Sequence, residues 1–386
     1  MMATMAKTMV DWRSEWYEFE GVTYLNLAGQ SPVPKVAIRA IQDAIERKKF
    51  PQRIPDAEFF DGPNRVRAAI AKLIGGKPQE VALTSGASAG TAAVAYGLPW
   101  QPGDEVITAS GEFPMQYATW KPMEEREGIT VKVVKARGAF HCEDDFIAAL
   151  TPKTRLLSVS HVRFDNGLML DSARLAAACH AQGALLLLDV SQSCGGVPMD
   201  VEQLGADFLV CAGYKWLLGP FGTGFFWSKE EMITKMRPGP FYWMSAEGVN
   251  NFADLATAPP RPAPEARRWD APETANFCNL AAFEAGIELV LRAGPETVAV
   301  HNHQLIEQLF ERLPADRCVV ASPQQRLRRG PYGCFQARTL EKTKELYEKL
   351  RGANLITSLR EGKIRVSPYL YNNERDIDRL VALVTA

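Results

Sequence analysis

The sequence predicts an α/β protein with a mainly parallel sheet of seven strands and a smaller α/β domain at its C-terminal end. From Val81 onward, short apolar runs alternate with helical patterns, which is typical of right-handed βαβ units. Two of these apolar runs each lead to a single charged residue, Asp189 and Lys215. Because open α/β sheets bind ligands at the carboxyl ends of their strands, the acid and the amine indicate a functional site.

Composition and charge exclude several classes of protein. The chain has 386 residues, 46% of them apolar and 23% charged, as in globular proteins with a large core. Its formal net charge of −1 provides no field that would attract nucleic acid or an anionic membrane. The 7 cysteines include no CxxC pair, which favours a reducing compartment. Without a signal-peptide pattern or a run of transmembrane length, we expect a cytoplasmic protein.

The elements follow one another in a regular order. Residues 1–30 form an irregular arm expected to pack near the site, 31–275 form the large ligand-binding domain, and 276–386 form the small domain. Strands of the large sheet are predicted at 80–84, 104–109, 129–135, 154–160, 184–189, 206–212 and 222–227. Helices are predicted at 35–50, 64–74, 88–97, 114–127, 171–182, 277–292, 340–351 and 373–385. A Pro-rich segment, 238–276, interrupts this order as a long loop.

The first motif is TSGASAG, at positions 84–90, between a predicted strand and a predicted helix. Its small residues allow backbone N–H groups at the helix N-terminus to approach an anion, and a serine hydroxyl can add a bond. Ser85 or Ser88 could also be an ordinary helix cap. The letters GASAG further match the nucleophile elbow of a serine hydrolase, with Ser88 as the nucleophile. No histidine precedes His141, so the oxyanion-hole motif of those enzymes is absent.

The second and third motifs follow adjacent strands. Asp189 and Gln192 form a D-x-x-Q pattern, in which the carboxylate could hold a metal, a ribose hydroxyl or a protonated ring nitrogen, or cap a turn. Lys215 lies between Tyr214 and Trp216, and it could pair with an acid, hold a phosphate or form a Schiff base. Its aromatic neighbours argue against an exposed lysine.

These motifs together select a cofactor. No metal site is predicted, because His301 and His303 are spaced i, i+2 and point to different helix faces. A phosphate cradle, an acid and a lysine after the next strand are what pyridoxal 5′-phosphate requires. The lysine holds the aldehyde, the acid keeps the pyridine nitrogen protonated, and the ring then serves as an electron sink for a substrate carbanion.

The sequence resembles the class V aminotransferase family of fold-type I pyridoxal-phosphate-dependent enzymes, which includes cysteine desulfurases, kynureninases and isopenicillin N epimerase-like proteins. The matching motifs span nearly the whole chain in the family's order: LNLAGQSPVP, TSGASAG, GEFP, DVSQS, GYKWLLGPFGTG, WDAPETANF and KIRVSPYLYNNERDIDRL. The resemblance implies the fold of a fold-type I transferase and a homodimer with shared active sites.

The resemblance also assigns residues to the cofactor. It makes Lys215 the Schiff-base lysine and Asp189 the partner of the pyridine nitrogen, so that these two are the expected catalytic residues. Gln192 would contact the phenolic oxygen. Ala87 and Ser88 would hold the phosphate.

Further residues matched by position are less typical of the family. Tyr214, at the place where desulfurases have histidine and kynureninase-like members have tyrosine, would also reach the phosphate. Phe113, in GEFP, would stack on the ring, although it could instead be a core residue. Thr274 resembles the threonine that reaches across the dimer interface to the neighbour's phosphate, but Glu273 stands where a glycine usually precedes it.

The substrate side is less well marked. Arg365, in KIRVSPYL, matches the arginine that binds the substrate α-carboxylate through a bidentate fork. The N-terminal loop around Gln30 and the Pro-rich segment with Trp243 and Arg267 are expected to contribute to substrate specificity.

Two departures from the family pattern bear on the reaction. Desulfurases carry a nucleophilic cysteine shortly before the arginine, whereas residues 339–363 contain none, and Cys334 is expected to be a buried strand residue. Phe164 occupies the place of the asparagine in the family pattern H-V-x-N-x-x-G, so Asp165 or Asn166 would have to substitute.

The predicted function is pyridoxal-phosphate chemistry at the Cα of a small α-amino acid. Aminotransferase or C–S lyase-type chemistry without a catalytic cysteine is the first choice. Epimerase or racemase activity and kynureninase-like hydrolysis are the alternatives within the family, and a serine hydrolase using Ser88 is the alternative from another class.

Overall fold

The computed structural model describes residues 11–239, 242–250, 252–253, 255–257 and 261–386. The strands are β1 Thr23–Tyr24, β2 Val81–Thr84, β3 Glu105–Ala109, β4 Thr130–Val134, β5 Thr154–Ser160, β6 Leu185–Asp189, β7 Phe208–Ala212, β8 Gly224–Ser228, β9 Cys318–Val320, β10 Gly333–Ala337, β11 Leu355–Ile356, β12 Ser358–Arg360 and β13 Lys363–Val366. The α-helices are α1 Lys35–Lys48, α2 Glu58–Ile74, α3 Ala87–Gly97, α4 Pro114–Glu127, α5 Glu143–Ile147, α6 Ser172–Ala181, α7 Val201–Leu204, α8 Glu230–Ile233, α9 Phe277–Ala293, α10 Pro295–Arg312, α11 Leu340–Gly352 and α12 Glu374–Thr385.

The central sheet has seven strands in the order β2-β8-β7-β6-β5-β3-β4. Its strands run parallel except for β8, which is antiparallel to both of its neighbours, so the predicted mainly parallel sheet is confirmed. In β6 and β7, which lie side by side, the apolar side chains from Leu186 to Leu188 and from Phe208 to Val210 are fully buried. Burial on both faces explains why these strands read as uninterrupted apolar runs rather than as alternating patterns.

A second, antiparallel sheet forms the C-terminal part of the fold, in the order β12-β13-β10-β9. Helices α10, α11 and α12 supply the apolar residues that pack with this sheet into a separate core. The long helix α9 packs along α1 and α2, and its buried face belongs to the core of the large sheet. The boundary between residues 275 and 276 remains a prediction.

The segment that follows β1 lies between the two sheets. Strand β1 pairs in parallel with β11, and Asn26 forms a bridge with Ser367 just beyond β13. From there the chain turns toward the large sheet, where the Ser31 N–H donates to the Tyr214 carbonyl at 3.0 Å. Residues near the start and the end of the described chain therefore jointly border the end of β7.

Helices α5, α7, α8 and α10 lie where the sequence analysis gives no helix range, and the start of α2 and the Pro-rich loop also differ from the prediction. Helix α2 begins at Glu58, ahead of Pro63, rather than at Asn64. Pro63 lies in the N-terminal half of the helix, where its missing N–H removes one backbone hydrogen bond. Glu58, the first residue of the helix, accepts a hydrogen bond from Arg65 at 2.7 Å, which joins the turns on either side of Pro63. The Pro-rich loop contains short 3₁₀ turns at Trp243–Ser245, Leu255–Thr257 and Ala266–Trp269. No described helix is both long and apolar enough to cross a membrane.

Candidate active site

A cavity of about 240 Å³ opens at the carboxyl ends of β5, β6 and β7, beside the N-terminus of α3. Most of the residues that the sequence singled out for the cofactor line it: Ala87, Ser88, Phe113, Asp189, Gln192, Tyr214 and Lys215. Phe113 is 43% exposed, which excludes the alternative that it is a core residue. The side chains named from separate motifs thus share one cavity.

Lys215 is the only lysine or arginine among the described residues that line this cavity. Its side chain is buried, and its amine lies 5.6 Å from the ring centroids of both Phe113 and Tyr214. Burial lowers the pKa of the amine to about 8; Asp189 opposes this shift, and the positive charge of Arg365 adds to it. About half of the amine is therefore neutral at pH 8 and roughly a tenth at pH 7, far more than for an ordinary lysine, and the neutral form is the one that a nucleophilic lysine requires.

Asp189 lies at the end of β6, fully surrounded by protein. Burial raises the pKa of its carboxyl group, and the Ser191 N–H, which donates to Oδ1 at 2.8 Å, and the charge of Lys215 partly counter that rise. A cationic partner brought to this carboxylate would restore its ionised form, because an opposite charge at short range favours ionisation.

The N-terminus of α3 forms a small-residue cradle at the other side of the cavity. Gly86, with φ of +148°, precedes the helix, and its carbonyl accepts from the Thr84 hydroxyl at 3.0 Å. Gly90 brings the helix against β7: a Cβ there would lie only 2.7 Å from Cγ1 of Val210. This close approach places the free first-turn N–H groups of Ala87 and Ser88 at the cavity wall, where the helix dipole favours an anion.

Gln192 and Tyr214 are held by neighbours. The Gln192 amide donates from Nε2 to the Ala28 carbonyl at 3.0 Å, and its Oε1 accepts from the Trp216 indole at 3.1 Å, which leaves one amide hydrogen free. Tyr214 stacks on Phe221 at 4.1 Å between ring centroids, and burial raises the pKa of its hydroxyl group. Phe221 is itself 70% exposed at the mouth of the cavity.

An aromatic wall closes the side of the cavity that faces the small sheet. The rings of Phe113 and Phe164 meet edge to face, at 5.5 Å and 86°. Neither of the residues expected to substitute for the family asparagine lines the cavity. Asp165 accepts from Arg163 and Lys363, and Oδ1 of Asn166 accepts from the Leu168 N–H. Phe164 itself takes the position beside the cavity.

Arg365 lies behind this wall on β13, with 2% of its surface exposed. Its Nη1 donates to the Phe164 carbonyl at 3.0 Å and its Nε to the Ser358 hydroxyl at 3.2 Å. Burial lowers the pKa of the guanidinium, and no aspartate or glutamate of the described chain forms an ion pair with it. A buried guanidinium without an acid is costly unless an anion is bound to it.

The remaining expected residues lie outside the cavity. Gln30 is on the loop after β1, where its carbonyl accepts from the Tyr24 hydroxyl at 2.7 Å. Thr274 lines two neighbouring cavities instead, and its hydroxyl donates to the Ala271 carbonyl. Glu273 before it has φ of +59°, the left-handed conformation that a glycine would adopt without strain. Arg267 donates to the carbonyls of its own loop.

Sequence reasoning missed a buried ionic network beneath the aromatic wall. Arg163, with a side chain 2% exposed, donates to Glu112 at 3.3 Å and to Asp165 at 3.2 Å. Glu112 in turn accepts from the Ser160 N–H at 3.0 Å. The one signal in the sequence was a charged residue, Arg163, three positions after the end of β5.

The serine-hydrolase alternative lacks its base. No histidine is among the described residues that line the cavity with Ser88. His301 is bonded to the carbonyls of Tyr369 and Asn372, and His303 to those of Arg329 and Gly330, in the small domain.

Comparisons with known proteins agree with this geometry. The model of the family described as Aminotransferase class-V matches residues 23–380. The chain is 25% identical to isopenicillin N epimerase of Streptomyces clavuligerus over 400 residues, covering 97% of this chain and 98% of that protein. It is 30% identical to a probable cysteine desulfurase of Methanothermobacter thermautotrophicus over 298 residues, covering 74% and 71%.

Among solved structures, the cystine C–S lyase C-DES in complex with cysteine persulfide superposes with a TM-score of 0.84 at 23% identity, covering 95% of this chain and 99% of that one. Cysteine desulfurase CsdA from Escherichia coli superposes with a TM-score of 0.82 at 20% identity, covering 97% and 96%. These structures show the same fold. The match of the family model over nearly the whole length shows that the chain belongs to the class-V aminotransferase family, as an enzyme whose cofactor is pyridoxal 5′-phosphate.

Proposed function

We propose that this enzyme acts at the Cα of a small α-amino acid, with Lys215 as the residue that carries the cofactor and without a catalytic cysteine. Three observations support the fit of pyridoxal 5′-phosphate to the cavity. The Lys215 amine is buried with a pKa near 8, the N-terminus of α3 offers free N–H groups to a phosphate, and Asp189 lies on the same cavity wall.

We assign the contacts of the cofactor on that basis. Lys215 would bind its aldehyde carbon, and Asp189 would hold its pyridine nitrogen in the protonated form. Gln192 would donate its remaining amide hydrogen to the phenolic oxygen. The phosphate would be held by the N-terminus of α3 at Ala87 and Ser88, together with the Tyr214 hydroxyl. Phe113 would cover one face of the ring.

Arg365 carries the proposal that the substrate is an amino acid. It is a buried cation without an acid among the described residues, and its charge acts on Lys215 across the aromatic wall. A substrate α-carboxylate would supply the missing anion and could accept a bidentate pair of hydrogen bonds. Once bound there, the substrate would have its α-amino group and Cα on the side of Lys215.

The chemistry divides between the cofactor and the chain. When bound, the cofactor supplies an electron sink that stabilises negative charge at the substrate Cα. The amine of Lys215, when displaced by the substrate amine, would be free to remove a proton from Cα and to return it. Asp189 would maintain the positive charge on the pyridine nitrogen, and the buried setting of both residues would exclude water.

Aminotransferase or C–S lyase-type chemistry is the first choice among the reactions of the family. Cys334, the cysteine nearest in sequence to the arginine, is fully buried in β10, and burial raises the pKa of its thiol to about 12, so it is unsuited to nucleophilic attack. The similarity in fold to a protein described as a cystine C–S lyase is in keeping with a lyase reaction. The full-length similarity to isopenicillin N epimerase favours epimerisation as the second candidate, with kynureninase-like hydrolysis third.

We further propose a cytoplasmic homodimer with shared active sites. Thr274 lies outside the cavity of its own chain and lines two others, one of which it shares with Ser85 of the phosphate cradle, and this supports a role for it toward the cofactor of a second copy.

The test begins with the colour of the purified protein. The holoenzyme should be yellow, and borohydride or Lys215→Ala should abolish the visible absorption band. Lys229→Ala, at a lysine outside the cavity whose side chain is 45% exposed, should leave the band intact. Incubation with single amino acids, followed by analysis for keto acid, sulfide and inverted stereochemistry, identifies the reaction. Retention of the band in Lys215→Ala would contradict the proposal.

A further inference from the structure

We infer that Phe164, together with Phe113, forms the surface that receives the substrate side chain, and that this surface selects amino acids with uncharged, apolar side chains. The inference rests on the proposed function and names the class of substrate for that site.

The position of Phe164 supports this role. Its carbonyl accepts from Nη1 of Arg365 at 3.0 Å, and its ring meets Phe113 at 5.5 Å. Phe113 in turn lies 5.6 Å from the Lys215 amine. Phe164 therefore stands between the residue proposed for the substrate carboxylate and the residue proposed to act at Cα. A substrate that reaches both places its side chain next to this aromatic pair.

The chemistry of the surrounding wall is apolar. Met115 and Val162 line the same cavity as the two phenylalanines and the exposed Phe221. The carboxylate and the ammonium that line the cavity, Asp189 and Lys215, are both assigned to the cofactor. A charged substrate side chain would lose its hydration here without gaining an opposite charge from the described residues, and that loss is unfavourable.

The nearest other charges are already paired. Arg163 lies beneath the wall, bonded to Glu112 and Asp165, and Asp165 also accepts from Lys363 at 3.3 Å. These groups carry two positive and two negative charges, and their side chains are between 2% and 22% exposed. Because they are paired with one another, they offer neither an anion nor a cation to a substrate side chain.

The same network makes the surface rigid. Besides its bonds to the two acids, Arg163 donates from Nη2 to the carbonyls of Ser110 and Gly111. It thereby ties the segment that leads to Phe113 to the segment that contains Phe164. Because the aromatic pair is fixed before a substrate arrives, contact with an apolar side chain costs little ordering of the protein.

The experiment is a spectral titration of the holoenzyme with L-alanine, L-leucine, L-methionine, L-aspartate and L-lysine, in which the displacement of the visible band gives a dissociation constant for each. We expect leucine and methionine to bind at least about tenfold more tightly than aspartate and lysine, since a few methylene contacts in an apolar pocket give discrimination of this order. Alanine should fall between the two groups.

Variants then test the residue. Phe164→Leu should keep the ranking, because it preserves an apolar surface, whereas Phe164→Asn should reduce the preference for leucine over aspartate by about tenfold or more. Tyr96→Ala removes an exposed aromatic ring outside the cavity and should match the parent enzyme.

The results separate this inference from the proposed function. Equal binding of leucine and aspartate, or an unchanged ranking in Phe164→Asn, would overturn the inference while the displacement by alanine still supported the function. If no amino acid displaced the band, the result would contradict the proposed function itself, on which the inference rests.

Discussion

Replacement of Gly90 by alanine should weaken cofactor binding through a displacement of helix α3. The added Cβ would lie 2.7 Å from Cγ1 of Val210 and 3.2 Å from Cβ of Phe226, both in buried strands. Carbon atoms pack at about 3.5–4.0 Å, so the helix must move from the sheet by roughly 0.8 Å or more. The N–H groups of Ala87 and Ser88 lie one turn earlier and would move with it.

The expected magnitude combines two effects on stability and one on binding. Overpacking costs about 1–3 kcal/mol, while alanine in place of a helical glycine returns about 1 kcal/mol, so the cofactor-free protein should lose at most about 2 kcal/mol. Weakening one hydrogen bond to a charged phosphate costs about 1.5–3 kcal/mol, which lowers the affinity for the cofactor by roughly 10- to 100-fold.

The assay is an equilibrium titration of cofactor-free protein with pyridoxal 5′-phosphate, followed by absorbance, beside urea unfolding of the same preparations. Gly97→Ala, at the far end of the same helix, is the matched control, because its Cβ would meet the flexible end of Met236 at 2.6 Å and the Arg237 carbonyl oxygen at 3.2 Å, away from the cradle. Val210→Ala combined with Gly90→Ala should restore part of the affinity, because it removes the shortest contact and leaves those at 3.2 Å. Parent-like affinity in Gly90→Ala would refute the reasoning.

Other perturbations test separate parts of the structure. Glu273→Gly should raise the free energy of unfolding by about 1 kcal/mol, since a side chain at φ of +59° is strained; a lower melting temperature would contradict this. Lys215 of the cofactor-free enzyme should react with pyridoxal increasingly as pH rises through about 8, because only the neutral amine attacks. Nα-acetyl-lysine, whose side-chain amine has the ordinary pKa, is the reference. Arg365→Met should move that midpoint upward, since the positive charge of Arg365 helps to lower the pKa; an unchanged midpoint would argue against this coupling. Glu112→Gln should destabilise the protein to urea by about 3 kcal/mol, because it unbalances a buried ion pair, whereas Glu230→Gln, in an exposed pair, should cost under about 1 kcal/mol.

The strands of the large sheet were predictable because strands buried on both faces appear in the sequence as uninterrupted apolar runs. The run from Leu185 to Leu188 has no polar interruption, and the structure extends it as β6 as far as Asp189. The start of α2 was not predictable by the same means. Pro63 indicates a helix boundary locally, but the buried position of Gly62 and Pro63 against the rest of the fold overrides that preference.

The cavity was predictable where each contributing residue follows a strand. Lys215, Asp189 and the cradle before α3 come from separate motifs whose meeting place follows from the parallel sheet. The ionic network of Arg163 was not predictable. Its acidic partners are Glu112, from another loop, and Asp165, from the same turn, and spacing in sequence does not reveal which charges will pair. Likewise, only the three-dimensional structure shows that Arg365 has no acidic partner among the described residues.

The pairing of the first strand has a consequence for the order in which the enzyme folds during its synthesis. Asn372 donates to the Tyr24 carbonyl across 348 positions of sequence, and β1 has its partner in β11. At synthesis rates of about 5–20 residues per second, that partner follows roughly 20–70 s after Tyr24. The large sheet can complete its strands during this interval, but the loop that receives Gln192 at Ala28 is anchored through Ser367. Ser367 must therefore be synthesised before this loop can be anchored beside Gln192, so this side of the cofactor site can form only late in synthesis.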